Sequence, residues 1–333
     1  MPEHFFVHRI DPILGSVLGV HLWWYGLSYT AGFLQLHLYL RRARARLDLT
    51  KSDVYALSLF IAIGVLLGGR MVEVAFDEWP FYREHLWLVP AYWLGGMATH
   101  GLLLGAVVGT ALFAHLYRRP FLELVDALVI PGAFLMGVGR LGNFIDGQIV
   151  GSVTDVWWGV QFPDAEGVRH PVVLYDGLKN LLLIPYLSRV RRTNTTPGAT
   201  AARFVFWYAF LRTFVDLFRD YPTHRLALGT GQTLNLVMML FGVAMLVRSR
   251  LRRLGRLALR PVRVRGRVIG GAEPSRVQHA VLASVLLCCL TLPSNWTQDV
   301  PARYGRRHAG LEHSRLYPAI DTAARLSSTA LPR

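Results

Sequence analysis

The chain has 333 residues, of which 53% are hydrophobic and 17% are charged, and its mean hydropathy is +0.33. Several apolar stretches approach the ~20 residues that a helix needs to cross a ~30 Å hydrocarbon layer, as is typical of a polytopic membrane protein. The formal net charge of +15 would suggest a nucleic-acid partner in a soluble protein. Much of that charge, however, lies in arginine clusters directly after apolar stretches, where it encodes membrane topology, so we expect no nucleic acid.

Seven apolar stretches predict an all-α fold with about seven transmembrane helices. We expect no cleavable signal peptide, because the first stretch lacks a basic flank before it and is long enough to span the membrane. No internal repeat is evident. The predicted spans are 13–40, 54–74, 87–117, 120–139, 172–187, 204–218 and 229–247.

Arginine clusters follow the first, third, fifth and seventh predicted spans. Because basic residues are retained in the cytoplasm, this spacing predicts that the N-terminus lies outside and the C-terminus in the cytoplasm. Residues 143–170 are too polar and too rich in Gly and Asp to span, so they predict a small periplasmic lobe. The clusters lie at 41–46, 118–119, 189–192 and 248–267.

The fourth span leads to Arg140, within the stretch GAFLMGVGRLGNFIDGQIVG from Gly132 to Gly151. A charge well inside the bilayer costs roughly 2.5–3.5 kcal/mol even on a lenient scale, so such a residue is a candidate for function. The glycines permit turns and a close approach of the backbone. A snorkelling arginine at a helix end is the alternative interpretation.

Residues 1–250 form the predicted transmembrane domain, and residues 251–333 are predicted to be a basic, poorly ordered cytoplasmic tail. Within the tail, residues 280–292 are apolar, but these 13 residues are too few for a confident span. The polybasic part either contacts anionic lipid head groups or acts only as a topology signal. Both cysteines, Cys288 and Cys289, lie in this tail, so no disulfide, metal or thiol chemistry is expected in the spanning region.

Polar side chains in the predicted spans are the candidates for chemistry. Arginines on several helices suit an anion, since a guanidinium grips phosphate bidentately, and in a bilayer the obvious anion is a phospholipid head group. Arg212 and Asp216, at i and i+4, belong either to such a site or to a structural ion pair. His100, among glycines on an apolar helix, is either a general base or a hydrogen-bond partner in packing.

Six short motifs rich in glycine, aromatic and charged residues lie along the spanning region. They are HLWWYGLSY from His21, GGR at 68–70, GGMATHG around His100, GRLGNFIDGQIVG from Gly139, HPVVLYD at 170–176 and YAFLRTFVDLFR from Tyr208. Over roughly residues 10 to 250 their order and spacing resemble those of bacterial prolipoprotein diacylglyceryl transferases. The G-R-x-x-N-F core is the most specific of these signals.

The resemblance implies a seven-helix enzyme of the bacterial inner membrane, acting as a monomer. Such an enzyme transfers the diacylglyceryl group of phosphatidylglycerol to the lipobox cysteine thiol of preprolipoproteins and releases glycerol phosphate. The partners implied are therefore phosphatidylglycerol, these signal peptides and membrane lipid. No cofactor or metal is implied, and the nucleophile belongs to the substrate.

The resemblance and the polar pattern together assign roles to individual residues. Arg140 and Arg212 are expected to hold the phosphate and to neutralise the leaving group as the sulfur attacks, with His100 as general base and Tyr25 as a further catalytic residue. The expected phosphatidylglycerol ligands are Arg140, Asn143, Arg212, Tyr208, Asp146, Gln148, Gly151 and Arg70.

Several positions depart from the family pattern. Gln148 stands where the family has Glu, Asp146 stands where it has Asn, and Asp176 and Asp216 replace Glu. Asp146 could restore the carboxylate that is lost at Gln148. A non-catalytic phospholipid-binding homologue is the alternative that Gln148 favours, whereas a transporter would be expected to show repeat symmetry.

Overall fold

The computed structural model describes residues 5–194, 196–219, 224–225, 228–255, 272–294 and 299–320. Within them the chain is mostly helical, as the predicted all-α class requires. The helices found there are α1 (Trp24–Ala43), α2 (Lys51–Val72), α3 (Trp79–Tyr82), α4 (Thr99–Leu116), α5 (Phe121–Ile145), α6 (Val172–Thr193), α7 (Ala199–Asp216), α8 (Thr230–Arg253), α9 (Arg276–Cys289) and α10 (Val300–Tyr304).

Three segments of the described chain are long and apolar enough to cross a membrane by length and composition. They are Lys51–Phe76, which continues α2 through a π-helical turn, Thr99–Leu116 and Phe121–Ile145. The start of α2 is fixed by a capping box, in which Thr50 Oγ1 accepts from the Asp53 N–H and the Asp53 carboxylate accepts from the Thr50 N–H, both at 3.0 Å.

The long helices pass between the same two ends of a bundle. We call the end where α1 finishes the basic end, and the opposite end, which carries Asn143, the signature end. At the basic end Arg119, just after α4, pairs with Asp53 near the start of α2, with Nη2 and Oδ2 3.3 Å apart. At the signature end the Ala98 N–H donates to the Gly69 carbonyl at 3.0 Å. Helices α2 and α4 are therefore antiparallel. The same holds for α5 and α6, because Arg140 near the end of α5 meets Asp176 near the start of α6, and Asp126 near the start of α5 accepts from the Gly198 N–H after α6.

Helices α2 and α4 make the closest packing in the bundle because glycines face each other along both of them. A Cβ on Gly105 would lie 1.9 Å from the Gly64 carbonyl oxygen, and one on Gly101 would lie 2.2 Å from the Gly68 oxygen. Small residues are the usual means of bringing backbones together inside a membrane, where the hydrophobic effect does not drive helices together.

The third predicted span is shorter in the structure than in the sequence, since α4 begins only at Thr99. The preceding residues form two short 3₁₀ turns, Leu86–Leu88 and Tyr92–Leu94. Gly95 and Gly96 follow with φ of 86° and 82°, in the left-handed region that interrupts a helix.

Short strands connect the N-terminus with the polar region after α5. β1 (Phe6–Val7) pairs with β4 (Val160–Gln161), which pairs with β5 (Val168–Arg169). The remaining strands form two hairpins, β2 (Ile13–Val17) with β3 (Val20–Trp23) and β6 (His224–Arg225) with β7 (Leu228–Gly229).

Residues 272–294 and 299–320 pack against the helical bundle, which differs from the expected poorly ordered tail. Helix α9 lies along α1 and α2, and Cys289 is buried. The buried side chains of Val300, Tyr304 and Tyr317 share a cluster with Trp23 from β3. The other residues of the predicted tail that lie at 256–271, 295–298 and 321–333 are outside the described residues.

Replacing Gly105 with Ala should destabilise the protein, because the new Cβ would meet the Gly64 backbone at 1.9 Å and force α2 and α4 apart. Gly132→Ala in α5 is the matched control, since nothing lies within 4 Å of its Cβ position. That change should be neutral or should stabilise by up to about 1 kcal/mol through helix propensity. Thermal unfolding in detergent measures both, and a Gly105→Ala protein as stable as wild type would contradict the packing described here.

Candidate active site

Arg140 lies near the end of α5 and faces the start of α6. Its Nε is 2.6 Å from Asp176 Oδ2, and its Nη1 donates to Asn143 Oδ1 at 3.1 Å. Gly177 allows this approach, because a Cβ there would lie only 3.1 Å from the Arg140 Cβ. A carboxylate and an amide therefore fix the orientation of the Arg140 guanidinium.

Arg212 on α7 binds the same oxygen of this carboxylate, Asp176 Oδ2. Its Nη1 forms a short hydrogen bond to Asp176, and its Nε is 3.0 Å from Asp216 Oδ1 one turn later. Asp216 in turn accepts from the Asn235 amide of α8 at 2.6 Å. The sequence left two interpretations of the Arg212–Asp216 pair open; the structure places the pair inside the cluster around Asp176.

Lys179 completes the cluster from α6. Its Nζ is 3.1 Å from Asp176 Oδ1 and 2.9 Å from Asn180 Oδ1, and it lies 3.8 Å from the centre of the Tyr208 ring. Three cations thus surround two carboxylates, which leaves a formal charge of +1 (3 − 2) in a largely buried place. Such a cluster favours an additional anion.

A small cavity opens beside this cluster. Valine and isoleucine side chains form its apolar part, and three arginines form its charged part. Its lining residues are Arg140, Ile149, Val172, Val173, Asp176, Arg212 and Arg219. A ligand that carries both an anionic group and an apolar body matches this lining.

Gly151 lies between two backbone segments at the edge of the site. Its N–H donates to the His170 carbonyl at 3.0 Å, and it forms a β-bridge with Arg219. A Cβ here would lie 2.6 Å from the His170 oxygen and 2.7 Å from the Phe218 oxygen. Gly151 therefore serves the site by close backbone packing, which brings Arg219 beside the loop after α5.

Tyr25 is buried on α1 and packs against the last turns of α5. Its hydroxyl is 3.0 Å from that of Tyr29, and its backbone lies against Gly142, where a Cβ would be 2.7 Å from the Tyr25 Cα. Tyr25 thus supports the helix turn that carries Arg140.

Asn143, Asp146 and Gln148 face the C-terminal segment. The Asn143 amide donates to Ser294 Oγ at 2.5 Å, and the Ser294 N–H donates to Asp146 Oδ2 at 2.9 Å. Arg307 donates to the Asp146 carbonyl at 2.8 Å. Gln148 is buried in the following turn, where its N–H donates to the Asn143 carbonyl at 3.0 Å. The carboxylate of Asp146 therefore faces the C-terminal segment and not the arginine cluster.

Burial raises the pKa of the Asp146 carboxyl to about 7. The hydrogen bond from Ser294 and the charges of Arg307 and Arg303 act in the opposite direction without cancelling the effect of burial.

His100 lies in the first turn of α4, where it is exposed. Among the hydrogen bonds and ion pairs of the described residues, none links His100 to Arg140 or Arg212. Its imidazole is at the same end of the bundle as the cluster but does not belong to it.

Arg70 has a different role from the expected one. It is 1% exposed, and all five N–H donors of its guanidinium have backbone acceptors, so the group holds the irregular segment before α4. The Tyr82 and Tyr92 rings flank it, with centroids 5.1 and 5.6 Å from Cζ. The acceptors are the carbonyls of Leu88, Val89, Ala91, Gly95 and Gly96.

Three residues of the site were given no role by the sequence: Asp176, Lys179 and Arg219. The sequence did offer one signal for Asp176 and Arg219, since both are charged residues in or next to apolar stretches. Lys179 follows Asp176 at i+3, a spacing that places both side chains on one helix face. Ser294 gave no such signal, because a serine in a loop is ordinary.

Comparison with known proteins agrees with this geometry. The sequence model of the family "prolipoprotein diacylglyceryl transferase" matches residues 12–248. A phosphatidylglycerol–prolipoprotein diacylglyceryl transferase of Geobacter sulfurreducens is 37% identical over 256 residues, which are 74% of this chain and 98% of that protein. Proteins of the same name from Legionella pneumophila strain Lens and Pseudoalteromonas atlantica are 35% and 33% identical over 71% and 74% of this chain, and over 95% and 91% of their own length.

The family match covers α1 to α8 up to residue 248 and includes every residue of the arginine cluster, whereas α9, α10 and Ser294 lie beyond it. The resemblance inferred from the six motifs is thereby confirmed. This chain belongs to the prolipoprotein diacylglyceryl transferase family.

Proposed function

We propose that this protein transfers the diacylglyceryl group of phosphatidylglycerol to the lipobox cysteine of preprolipoproteins, which matures lipoproteins and releases glycerol phosphate. The observation that carries this proposal is the buried cluster of Arg140, Arg212 and Lys179 around Asp176. It offers guanidinium forks to a phosphate, and its apolar wall suits the glycerol and acyl part of a lipid.

The arginines are oriented before a lipid arrives. Asp176 Oδ2 binds both Arg140 and Arg212, and Asn143 directs a second donor of Arg140. A phosphate that enters the cavity shares these donors with the carboxylate. Because the donors are already ordered, less conformational entropy is lost on binding.

The transfer is a substitution at the glyceryl carbon that carries the phosphate ester. The thiolate of the incoming cysteine forms the C–S bond as the C–O bond breaks, and the electron pair of that bond goes to the phosphate oxygen. Arg140 and Arg212 stabilise the charge that develops there, and stabilisation of this kind commonly contributes more to catalysis than any other effect. Deprotonation of the thiol, whose ordinary pKa is about 8.5, requires a base.

We assign that base to His100. Support comes from its residue type, its position at the signature end and its exposure, which leaves the imidazole open to a thiol arriving from outside the cluster. Tyr25 and Tyr208 act by packing around the site, and Gly151 by its backbone. Asp146 and Gln148 act indirectly, through the turn after Asn143.

We further propose that residues 1–250 form a monomeric, multi-pass domain of the bacterial inner membrane, with seven spans, the N-terminus outside and residues 143–170 as a periplasmic lobe. The alternating helix directions and the collection of arginine clusters at one end support this arrangement. It places the arginine cluster near the outer face, where exported preprolipoproteins arrive.

Complementation tests the function directly. A strain depleted of its own transferase should be rescued by this chain, and mass spectrometry of a reporter lipoprotein should detect a thioether-linked diacylglyceryl group. If the chain binds phosphatidylglycerol but neither rescues the strain nor modifies the reporter, it is a non-catalytic phospholipid-binding homologue.

Arg140→Ala should abolish transfer while the protein remains inserted, since it removes a phosphate ligand and leaves Asp176 its contacts with Arg212 and Lys179. Arg140→Lys should also lose most activity, because a point charge does not replace a bidentate fork. Arg83→Ala is the control, as that side chain is 60% exposed. Product yield on the reporter lipoprotein is the measurement, and a wild-type yield from Arg140→Ala would remove this residue from the mechanism.

Asp176→Ala should destabilise the protein by roughly 3–5 kcal/mol, the range for removal of one partner from a buried ion cluster. Asp176→Glu, which keeps the charge, should retain most of the stability. The exposed Asp155→Ala should stay within about 0.5 kcal/mol of wild type. Unfolding in detergent reports all three, and a stable, active Asp176→Ala variant would refute the role of this carboxylate.

Single-cysteine labelling in a background without Cys288 and Cys289 tests the membrane arrangement. Cysteines at Asp77 and Asp155 should react with an impermeant maleimide from outside the cell, whereas those at Arg44 and Arg191 should react only after permeabilisation. Labelling of position 155 from the cytoplasmic side would overturn the proposed topology.

A further inference from the structure

Helix α9 runs antiparallel to α1 over most of the height of the bundle. At the basic end the Ala272 carbonyl accepts from the Ser52 N–H at 3.2 Å. Midway, Thr30 Oγ1 donates to the Leu286 carbonyl at 2.8 Å. At the signature end the Leu290 carbonyl accepts from the Trp23 N–H at 2.8 Å. The segment therefore touches both ends of the bundle.

Gly26 of α1 makes room for this segment. A Cβ at Gly26 would lie 2.3 Å from the Cys289 carbonyl oxygen and 2.6 Å from that of Leu290. Contact this close between two backbones indicates a fitted helix pair.

The dimensions of the segment match a membrane crossing. Residues 276–289 are helical and rise ~21 Å at ~1.5 Å per residue, and the non-helical residues on either side carry the segment to both ends of the bundle, where Ala272 meets Ser52 and Leu290 meets Trp23. From residue 280 onward the exposed side chains of α9 are apolar or weakly polar, namely Ala280, Val281, Ala283, Leu287 and Cys288, with Ser284 the one polar residue among them, whereas the polar exposed residues Arg276 and His279 lie in the first turn, at the basic end. A lipid-facing helix requires such a face, whereas a cytoplasmic helix would be expected to show a polar one.

The path of the chain fits the same interpretation. Helix α8 ends at Arg253 on the basic end, and α9 begins on that end with Lys51 Nζ and Glu273 Oε1 2.7 Å apart. Beyond α9, residues 299–320 lie against the N-terminal hairpin at the signature end. There His308 Nδ1 is 2.7 Å from Asp11 Oδ2.

We infer that residues 272–294 form an additional, eighth membrane crossing. This crossing places Ser294 at the signature end of the bundle, where it acts as a positioning residue for Asn143. This segment lies beyond residue 248, where the family match ends. The crossing is independent of the proposed function, whereas the role of Ser294 rests on it. The C-terminal segment at 299–320 then lies on the outer side, opposite to the cytoplasmic tail expected from the sequence.

Ser294 acts by fixing the orientation of an amide. Asn143 Oδ1 accepts from Arg140 Nη1 at 3.1 Å, and Asn143 Nδ2 donates to Ser294 Oγ at 2.5 Å. An arginine has donors only, so the amide must present oxygen to it and NH₂ to the serine. Without the serine hydroxyl, the buried NH₂ loses its acceptor, and the amide no longer has one preferred orientation towards Arg140.

The backbone of Ser294 is held at the same place. Its N–H donates to the Asp146 carboxylate, while Arg307 donates to the Asp146 carbonyl. Residues that follow α9 thus bind both the side chain and the backbone of Asp146. These contacts keep the Ser294 hydroxyl within hydrogen-bonding distance of Asn143.

Labelling of the full-length chain tests the crossing. In a background without Cys288 and Cys289, a single cysteine is placed at the exposed Glu312 and compared with cysteines at Asp155 and Arg191. An impermeant maleimide should label position 312 from the same side of the membrane as position 155. Labelling from the same side as position 191 would overturn the eighth crossing. This readout requires no enzymatic activity.

Kinetics and binding of phosphatidylglycerol test the positioning role. Ser294→Ala should raise KM for phosphatidylglycerol roughly fivefold, the effect of one lost hydrogen bond, with kcat near wild type. Ser294→Thr should restore KM, since it retains the hydroxyl. Thr291→Ala is the matched control, because within the described residues that hydroxyl donates to the Cys288 carbonyl of its own segment and to no other group.

The same variants are compared for direct binding of short-chain phosphatidylglycerol in detergent. A wild type that binds but does not transfer would disprove the proposed function, whereas weaker binding by Ser294→Ala alone would still support the positioning role. A Ser294→Ala variant that matches Thr291→Ala in both KM and affinity would refute that role.

Discussion

The carboxylate of Asp176 is the constraint on which the site depends, because it is the buried anion between cations from three helices. Arg140 reaches it from α5, Arg212 from α7 and Lys179 from its own helix. Three cations without it would repel one another in a place that disfavours even one charge. With it, the guanidinium groups stand at fixed positions with a net positive charge, so a phosphate meets donors that are already aligned.

Close helix packing is what allows this carboxylate to serve two arginines. Aspartate has a short side chain, so α6 must approach α5 closely for the carboxylate to reach Arg140. Gly177 and Gly137 permit this, since a Cβ on Gly177 would lie 3.1 Å from the Gly137 carbonyl oxygen. The glycines of the α5–α6 contact therefore belong to the function as much as the charges do, although they touch no substrate.

Hydropathy predicted the helical class and the positions of most long helices, and charge depth selected Arg140 and Arg212, which the structure brings together at Asp176. Neither signal predicted the late start of α4 or the placement of α9, because hydropathy reports the preferred environment of a segment and not its neighbours. The thirteen apolar residues of the tail were too few for a span on their own. The non-helical residues that flank them and the close backbone approach at Gly26 supply what the count lacks, and the contact between Asn143 and Ser294 joins residues far apart in the chain.

Arg70 and Arg140 show why charge depth alone identifies candidates without assigning their roles. Both are arginines near the signature end, and both satisfy the rule that a charge in the membrane has a reason to be there. Arg70 donates all five N–H groups to backbone carbonyls, which cannot leave without unfolding the segment before α4. Arg140 instead binds side chains, a carboxylate and an amide, beside an open cavity. An incoming anion can share such partners at little structural cost, so the nature of the acceptor, and not the depth of the charge, distinguishes a binding arginine from a structural one.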